Sequence, residues 1–192
     1  MTNKSLKITA VVLIFLFFLS APFLQSFLFS THSEGAIIVN KTIQADFVKS
    51  DKKIVLLFFG YVGCQKVCTP FLTKLSSIYE SKEFQSVQND IDVIFVNLTP
   101  DVEEFQADLF AKFFNKNFKG VYLSKKELFA IDRKFAMFFS QSINEKSELN
   151  HTDYLYLIDN ANDKKALKNI YSTHPLRKQQ LINDIISLKK QE

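Results

Sequence analysis

The chain lacks tryptophan and has only two methionines, Met1 and Met137, among its 192 residues. A metal site built from several methionines is therefore excluded. Basic and acidic residues nearly balance, at 24 and 20, and no basic run alternates with aromatic residues, so the charge pattern does not predict a nucleic-acid-binding protein. The sequence also has no glycine-rich phosphate loop, no carboxylate pair placed for acid–base catalysis and no defensible Ser–His–Asp order.

Glycine and cysteine are also scarce, and they occur together. Of only four glycines, Gly60 and Gly63 directly precede the only two cysteines, Cys64 and Cys68. An apolar run over 54–59 leads into this segment and predicts a buried strand followed by a turn. Glycine permits a positive φ or a close backbone approach at such a turn. This turn is therefore the first candidate for a functional site.

The spacing of the two cysteines favours joint action. Cys64 and Cys68 lie four residues apart, so on the first turn of a helix their Cβ atoms would be roughly 5–6 Å apart on one face. The two thiols can then either form a disulfide or hold one soft metal ion. The positive end of the helix dipole, and Lys66 between the cysteines, favour the thiolate form that attacks disulfides and binds metals.

The chain has three histidines, His32, His151 and His174. We expect His32 and His174 to be solvated or to cap a helix. His151 comes three residues before a strand predicted over 154–158. If this strand lies beside the strand that leads to the cysteines, His151 approaches the two thiols. Two thiolates and a neutral imidazole form a three-coordinate site that suits Cu(I).

A long apolar run at the N-terminus predicts a membrane anchor. It covers 17 residues from Ile8 to Leu24 and follows Lys4 and Lys7, the only charges before residue 32. This charge pattern places the N-terminus in the cytoplasm and the rest of the chain outside, where disulfides persist. A cleaved signal peptide is the alternative, but the segment around Pro22 lacks an Ala-x-Ala cleavage site.

Alternating apolar strands and amphipathic helices predict an α/β sandwich with parallel strand pairs. Strong strands are expected over 54–59, 91–97 and 154–158, and weaker ones over 36–39, 47–48, 121–123 and 166–171, the last at a sheet edge. Helices are expected over 69–79, 102–115, 125–139 and 176–188. The predicted organisation is an anchor over 1–29, a tether and extension over 30–46, and one domain over 47–192.

Some side chains in these elements carry more specific expectations. Asp101 is predicted to cap the second helix, whose buried residues would be Phe105, Leu109, Phe110 and Phe113. Ser124 and Glu127 have the spacing of a capping box for the third helix. Asp92, within the strand over 91–97, is expected at an edge or facing solvent, and Met137 is expected in the core.

The dithiol and histidine segments together resemble a known family. Residues 60–68, Gly-Tyr-Val-Gly-Cys-Gln-Lys-Val-Cys, and residues 151–159, His-Thr-Asp-Tyr-Leu-Tyr-Leu-Ile-Asp, are similar to the Sco/SenC family of membrane-anchored copper chaperones. The resemblance implies a thioredoxin-like fold in which Cys64, Cys68 and His151 bind copper, with Cu(I) preferred and Cu(II) possible. It places the domain on the periplasmic or extracytoplasmic side of the inner membrane.

The resemblance also implies a partner. Members of the family deliver copper to, or reduce cysteines of, the dinuclear copper centre of cytochrome c oxidase. The expected partner is thus the copper-accepting subunit of that oxidase, or another copper or thiol carrier. Gln65 and Lys66 stand where the family commonly has Pro and Asp, and Asn150 replaces a frequent acidic residue. The lost acids are expected to weaken binding of Cu(II) more than of Cu(I).

Two other functions are compatible with the dithiol. The chain could be a membrane-tethered thiol–disulfide reductase or redox sensor without a metal role, in which case Cys64 and Cys68 form a redox-active pair. It could also be a non-catalytic interaction module with a structural disulfide. The resemblance favours a metallochaperone over an enzyme.

Overall fold

The computed structural model describes residues 35–131, 134–142, 148–161, 164–172 and 174–190. The predicted anchor over 1–29 and His32 lie outside the described residues. No helix among the described residues is long and apolar enough to span a bilayer. The proposed domain boundaries stay a prediction, although the first strand of the sheet begins at Ala36, within the predicted tether and extension.

Among the described residues, eight strands form two sheets. They are β1 (Ala36–Ile43), β2 (Ile54–Gly60), β3 (Ile91–Asn97), β4 (Phe118–Tyr122), β5 (Phe139–Gln141), β6 (Leu149–His151), β7 (Leu155–Asp159) and β8 (Lys165–Tyr171). Six of them make one mixed sheet in the order β1-β8-β7-β2-β3-β4, and β5 pairs with β6 in a separate ribbon. The pairs β2–β3 and β3–β4 are parallel, whereas β7 runs antiparallel to β2.

In the part of the chain that the structure describes, five α-helices accompany the sheet: α1 (Cys68–Tyr79), α2 (Lys82–Gln85), α3 (Glu104–Phe114), α4 (Lys125–Ile131) and α5 (Lys178–Lys189). Alternate residues of the central strands feed two separate cores, as the two-residue period of a strand requires. The core on one face includes side chains of α1, α3 and α5. The core on the other face includes side chains of α4. The predicted sandwich of a mixed sheet between helices is confirmed.

The central strands agree closely with the prediction from the sequence, whereas the outer strands do not. All seven residues of β2 and all seven of β3 are buried, which explains why β2 is apolar throughout and why β3 has only Asp92 and Asn97 as polar residues. The prediction of an edge strand over 166–171 is wrong, because β8 lies between β1 and β7. The longer β1 takes the edge instead. Residues 47–48 form part of a turn region rather than a strand.

The predicted inward face of α3 is wrong for three of its four residues, while Phe110 does pack against the core. Ala107 and Ala111 are the fully buried residues of this helix, whereas Phe105, Leu109 and Phe113 are exposed. The small side chains bring the helix close to β4, where Gly120 has no Cβ to collide with the Ala107 carbonyl. Apolar residues occur on two sides of this helix, so periodicity alone could not identify the packed side.

The start of α3 differs from the prediction, whereas the start of α4 agrees with it. Glu103 rather than Asp101 precedes α3 as its N-cap, and its N–H donates to Gln106 Oε1 over 3.1 Å. The capping box of α4 is confirmed, since the Ser124 N–H donates to Glu127 Oε2 over 2.8 Å.

The apolar residues that follow α4 divide between core and surface. The described helix ends at Ile131 rather than near residue 139, and Ala136 has a positive φ of 49° that a continuing helix does not permit. Met137 is buried as expected, whereas Phe138 is exposed.

Asp92 is not a solvent-facing residue. It lies on the interior strand β3 and is only 6% exposed. Ser50 Oγ donates to its carboxylate over 2.6 Å, and the Lys119 ammonium forms an ion pair with it. A buried carboxylate is tolerated here because hydrogen bonds and an opposite charge compensate its desolvation. No catalytic role is indicated.

Candidate metal centre

The candidate metal centre begins where β2 ends. Gly60 is paired with Asn97 at the carboxyl ends of the parallel strands β2 and β3. A Cβ at position 60 would lie 2.7 Å from Cys68 Sγ and 2.9 Å from the ring of Phe95. Glycine at this position therefore lets the Cys68 thiol pack directly against the strand.

Asn97 fixes the turn that carries the thiols. Its side chain is fully buried and accepts a hydrogen bond from the Val62 N–H at Oδ1 over 3.1 Å. Thr99 Oγ1 donates to the same oxygen over 2.9 Å, and Asn97 Nδ2 donates to the Thr99 carbonyl over 2.6 Å. This positioning role was not predicted. The available signal was an amide directly after four consecutive apolar residues, at the end of the strand.

Cys64 and Cys68 are both buried free thiols at the start of α1. The helix begins at Cys68, and Cys64 lies in the turn before it. The Cys68 N–H donates to Cys64 Sγ over 3.2 Å, and Thr69 Oγ1 donates to the Cys64 carbonyl over 2.8 Å. The turn thus directs backbone N–H groups at the first sulfur, which favours its thiolate form.

His151 is the last residue of β6, and it pairs with Phe139 in β5. Its Nδ1 lies 2.9 Å from the Thr152 carbonyl oxygen. Since a carbonyl can only accept, Nδ1 carries a proton, and Nε2 is the atom available to a ligand. Nε2 faces the thiols, 4.0 Å from Cys64 Sγ and 3.5 Å from Cys68 Sγ.

The three predicted ligands therefore converge. Their donor atoms all lie within 4.8 Å of one another, and no other group of three such residues comes together within the described residues. Metal bonds to sulfur and imidazole nitrogen are about 2.0–2.3 Å long in zinc sites. Donor atoms at these separations can surround one ion after small side-chain movements. Two soft sulfurs and one imidazole suit Cu(I).

The two thiols differ in protonation. A hydrogen bond from the Cys68 side chain is the main cause that lowers the pKa of Cys64 to about 4, and the His151 imidazole adds to it against the effect of burial. Burial, followed by contact with Cys64, raises the pKa of Cys68. Cys64 is thus the resident thiolate and Cys68 the protonated partner.

The contact with Cys64 also changes the pKa of His151. Burial alone lowers the pKa of His151, but the Cys64 sulfur and the Thr152 carbonyl outweigh it, and the pKa is raised overall. The Cys64 thiolate therefore favours a proton on His151 Nε2. Metal binding must release the Cys68 proton and any proton on His151 Nε2, so affinity depends on pH.

Tyr61 contributes to the wall of the site. Its ring meets that of His151 edge-on, with centroids 5.8 Å apart. Burial is the main cause that raises the pKa of Tyr61 to about 12, and the nearby Cys64 sulfur adds to it. The phenol therefore stays protonated at neutral pH. Tyr61 lies in the segment over 60–68 that resembles the family, but nothing in the sequence indicated a contact with His151.

Two other residues with sequence expectations lie beside the site. The Lys66 ammonium forms an ion pair with Glu148 over 2.7 Å, and its side chain is 69% exposed. The pair links the turn between the cysteines to the start of the His151 strand. His174 lies outside the ligand cluster, where its Nε2 is 2.8 Å from Asp153 and its ring packs edge-on against Phe71.

Comparisons with known proteins identify the family and the fold. Residues 40–189 match the SCO1/SenC family. SCO2-like proteins of Rickettsia prowazekii and Rickettsia conorii are each 26% identical to this chain, over 125 and 134 residues. These alignments cover 59% and 66% of this chain, and the chain spans 58% and 63% of the length of those relatives.

Solved structures show the same fold. Apo Sco1 from Thermus thermophilus has a TM-score of 0.61 and 24% identity, covering 82% of this chain and 95% of that one. Arabidopsis thaliana ScoI with copper bound has a TM-score of 0.60 and 19% identity, covering 73% and 86%. Yeast Sco1 with copper bound has a TM-score of 0.56 and 17% identity, covering 73% and 77%. The thioredoxin-like fold is confirmed, and the chain is a member of the SCO1/SenC family.

Proposed function

We propose that this protein binds Cu(I) through Cys64, Cys68 and His151 and passes it to a partner during assembly of the copper centre of cytochrome c oxidase. The observation that carries the proposal is the convergence of three donor atoms within 4.8 Å. Family membership supports it, as do related folds whose structures hold copper, in the Sco proteins of Arabidopsis thaliana and yeast.

The three residues have different roles in binding and releasing copper. Cys64 supplies a thiolate that is already ionised at neutral pH, and Cys68 loses its proton as the metal enters. His151 contributes Nε2, held towards the sulfurs by the hydrogen bond from Nδ1 to the Thr152 carbonyl. A three-coordinate Cu(I) ion can accept a thiolate from a partner before one of its own ligands leaves. Transfer then proceeds through shared ligands without free copper.

The location is part of the proposal. The apolar segment within residues 1–29 would hold the chain in the inner membrane, with the domain on the extracytoplasmic side. That is the side on which exported thiols need active maintenance. The partner would be the copper-accepting oxidase subunit, or another copper or thiol carrier.

The pKa difference between the cysteines supports a second function. The Cys64 thiolate can attack a disulfide of a partner, forming a mixed disulfide and releasing one partner thiolate. Cys68 then loses its proton and attacks Cys64 Sγ, which releases the second partner thiolate and leaves a Cys64–Cys68 disulfide. The partner is reduced by two electrons and the dithiol is oxidised by two. An external reductant of the thiol class would be needed to restore the dithiol.

Two variants separate the two functions. The reduced full-length chain is loaded with Cu(I) under anaerobic conditions and mixed with a peptide that offers two thiols, or with the same peptide as a disulfide. His151→Ala should impair copper loading and leave disulfide reduction intact, whereas Cys64→Ser should abolish both. Unimpaired copper loading and transfer by His151→Ala would overturn the three-ligand proposal. Disulfide reduction without any copper loading by the unmodified chain would establish the second function instead.

A further inference from the structure

The outer side of α3 carries an unusual stripe of large apolar side chains. Phe105, Leu109 and Phe113 are 56%, 59% and 81% exposed. Residues four apart on a helix are neighbours, so the three form one continuous strip. The opposite side of α3, around Ala107 and Ala111, makes the contacts with the sheet. The stripe is therefore not needed for the core of the domain.

The stripe has a defined geometry. Phe113 packs edge-on against the ring of Phe114, with centroids 5.2 Å apart. Phe114 in turn contacts Phe110, which packs against the core. The most exposed ring is thus supported from below and directed outward. A contiguous apolar surface of this kind marks a site of contact with a partner or a membrane.

The sequence that precedes the described domain favours a membrane over a protein partner as the contact of the stripe. The apolar run from Ile8 to Leu24 is predicted to span a bilayer, and only residues 30–34 lie between the predicted anchor and the domain. Five extended residues reach at most about 18 Å. With the anchor in a bilayer, a lipid surface would lie within short reach of β1, the first strand of the domain.

The chemistry of the stripe also fits lipid. Lys112 is exposed in the last turn of α3, next to Phe113, and Lys116 is exposed just beyond the end of the helix. Lys112 also pairs with Asp108 over 2.6 Å. Helices that lie in a membrane interface combine Phe and Leu on one side with lysines near the headgroups. The C-terminal end of the α3 stripe has both elements, whereas the exposed residues Glu103 and Glu104 lie at its other end.

We propose that the Phe105–Leu109–Phe113 stripe rests on the lipid surface of the membrane that holds the chain. This rests on the membrane location proposed above. It also specifies an orientation for the metal centre. Because α3 connects the parallel strands β3 and β4, it runs back roughly antiparallel to them. With α3 lying in the interface, the thiol end of the sheet points along the membrane, towards partners embedded in the same bilayer.

The absence of tryptophan makes a direct test possible. Phe113→Trp introduces a single fluorophore into the full-length chain, reconstituted in vesicles of phosphatidylcholine and phosphatidylglycerol. We expect emission at short wavelength and quenching by brominated lipids. Quenching should be stronger for bromine near the headgroup than at the acyl terminus, because interfacial helices insert about 5–10 Å.

Phe129→Trp is the matched control. Phe129 is 65% exposed, similar to the stripe, but α4 packs on the opposite face of the sheet from α3. Its tryptophan should emit at the wavelength of a water-exposed indole and escape lipid quenching. Equal quenching at both positions would indicate unspecific contact and overturn the proposed orientation.

The remaining outcomes distinguish docking of the α3 stripe on lipid from anchoring of the chain by its N-terminal segment. Resistance of the chain to carbonate extraction reports the anchor independently of the stripe. An integral chain whose Phe113→Trp fluorophore is not quenched would overturn the docking proposal and leave the anchor standing. A wavelength shift that appears only with a partner protein, without lipid quenching, would overturn it in favour of a protein contact. Lipid quenching of an extractable chain would support docking and remove the anchor.

Discussion

Cys68 Sγ lies 3.5 Å from His151 Nε2, although 83 residues separate the two in the sequence. The sheet topology explains this proximity. Since β7 runs antiparallel beside β2, the chain entering β7 and the chain leaving β2 meet at the same end of the sheet. The thiols begin the helix after β2, and His151 lies just before β7. The ligand geometry is therefore a consequence of one strand pairing.

Gly60→Ala is predicted to disturb the metal centre directly. The added methyl would approach Cys68 Sγ to 2.7 Å, so the thiol or the strand must move. We expect a loss of stability of about 1–3 kcal/mol, as for other overpacked cores. Cu(I) affinity should fall roughly tenfold or more, as when outer-shell support is removed. Thermal unfolding and competition with a Cu(I) chelator measure the two effects.

Gly120→Ala is the control for this prediction. Its methyl would overlap the Ala107 carbonyl in α3, away from the thiols. It should also destabilise the protein, while the folded fraction keeps its Cu(I) affinity. If Gly60→Ala binds copper as tightly as the unmodified chain, Cys68 does not depend on the close approach at Gly60.

Asn97→Ala is predicted to loosen the thiol-bearing turn. The change leaves the Val62 N–H and Thr99 Oγ1 without their acceptor, at a cost of about 1–3 kcal/mol. Because Val62 lies two residues before Cys64, the reduction potential of the dithiol and the Cu(I) affinity should both change. Equilibrium with a thiol redox buffer and chelator competition provide the measurements.

Asn115→Ala is the control that distinguishes positioning of the thiol-bearing turn from global stability of the protein. Asn115 is also a buried asparagine, and its Nδ2 donates to Ser76 Oγ and Glu80 Oε1. Its loss should destabilise the protein without altering the reduction potential or the copper affinity. Equal changes in both variants would show that Asn97 acts only through global stability.

Cys64 is predicted to remain a thiolate in mildly acidic solution. The hydrogen bond from Cys68 and the contact with His151 lower its pKa from 9.0 to about 4. Ultraviolet absorbance of the reduced, metal-free chain should therefore show one thiolate that is lost near pH 4. Cys64→Ser should remove this step. A single thiol transition near pH 9 in the unmodified chain would contradict the assignment.

The same pKa has a consequence for stability. Since the folded pKa of Cys64 lies below the unfolded value, the thiolate stabilises the fold fully above pH 9, and this contribution declines as the pH falls to about 4. The stability difference between the unmodified chain and Cys64→Ser should shrink over that range. Urea unfolding of both reduced proteins at several pH values tests it.

The parts of the fold that were predictable depend on local chemistry. The strand β2 is a continuous apolar run, β3 is mostly apolar, and the spacing of Cys64 and Cys68 already favoured a shared site. His151 could be proposed because a single strand adjacency would bring it to the thiols. In each case the relevant signal lay within a few consecutive residues.

The remaining parts depend on tertiary contacts that no local pattern contains. The buried side of α3 was decided by close packing at Gly120, not by the larger apolar residues of the helix. Asp92 is buried because Lys119, from the neighbouring strand, meets its charge. The roles of Asn97 and Tyr61 likewise arise from partners that become neighbours only in the folded chain.

The most direct test of the account is a Cu(I) titration of the reduced full-length chain against a competing chelator, beside His151→Ala and His174→Ala. His174 is the matched control, because it pairs with Asp153 near the site but lies outside the ligand cluster. We predict tight binding of one copper ion, strongly weakened by His151→Ala and unchanged by His174→Ala. Equal affinity in all three proteins would contradict the three-ligand copper site.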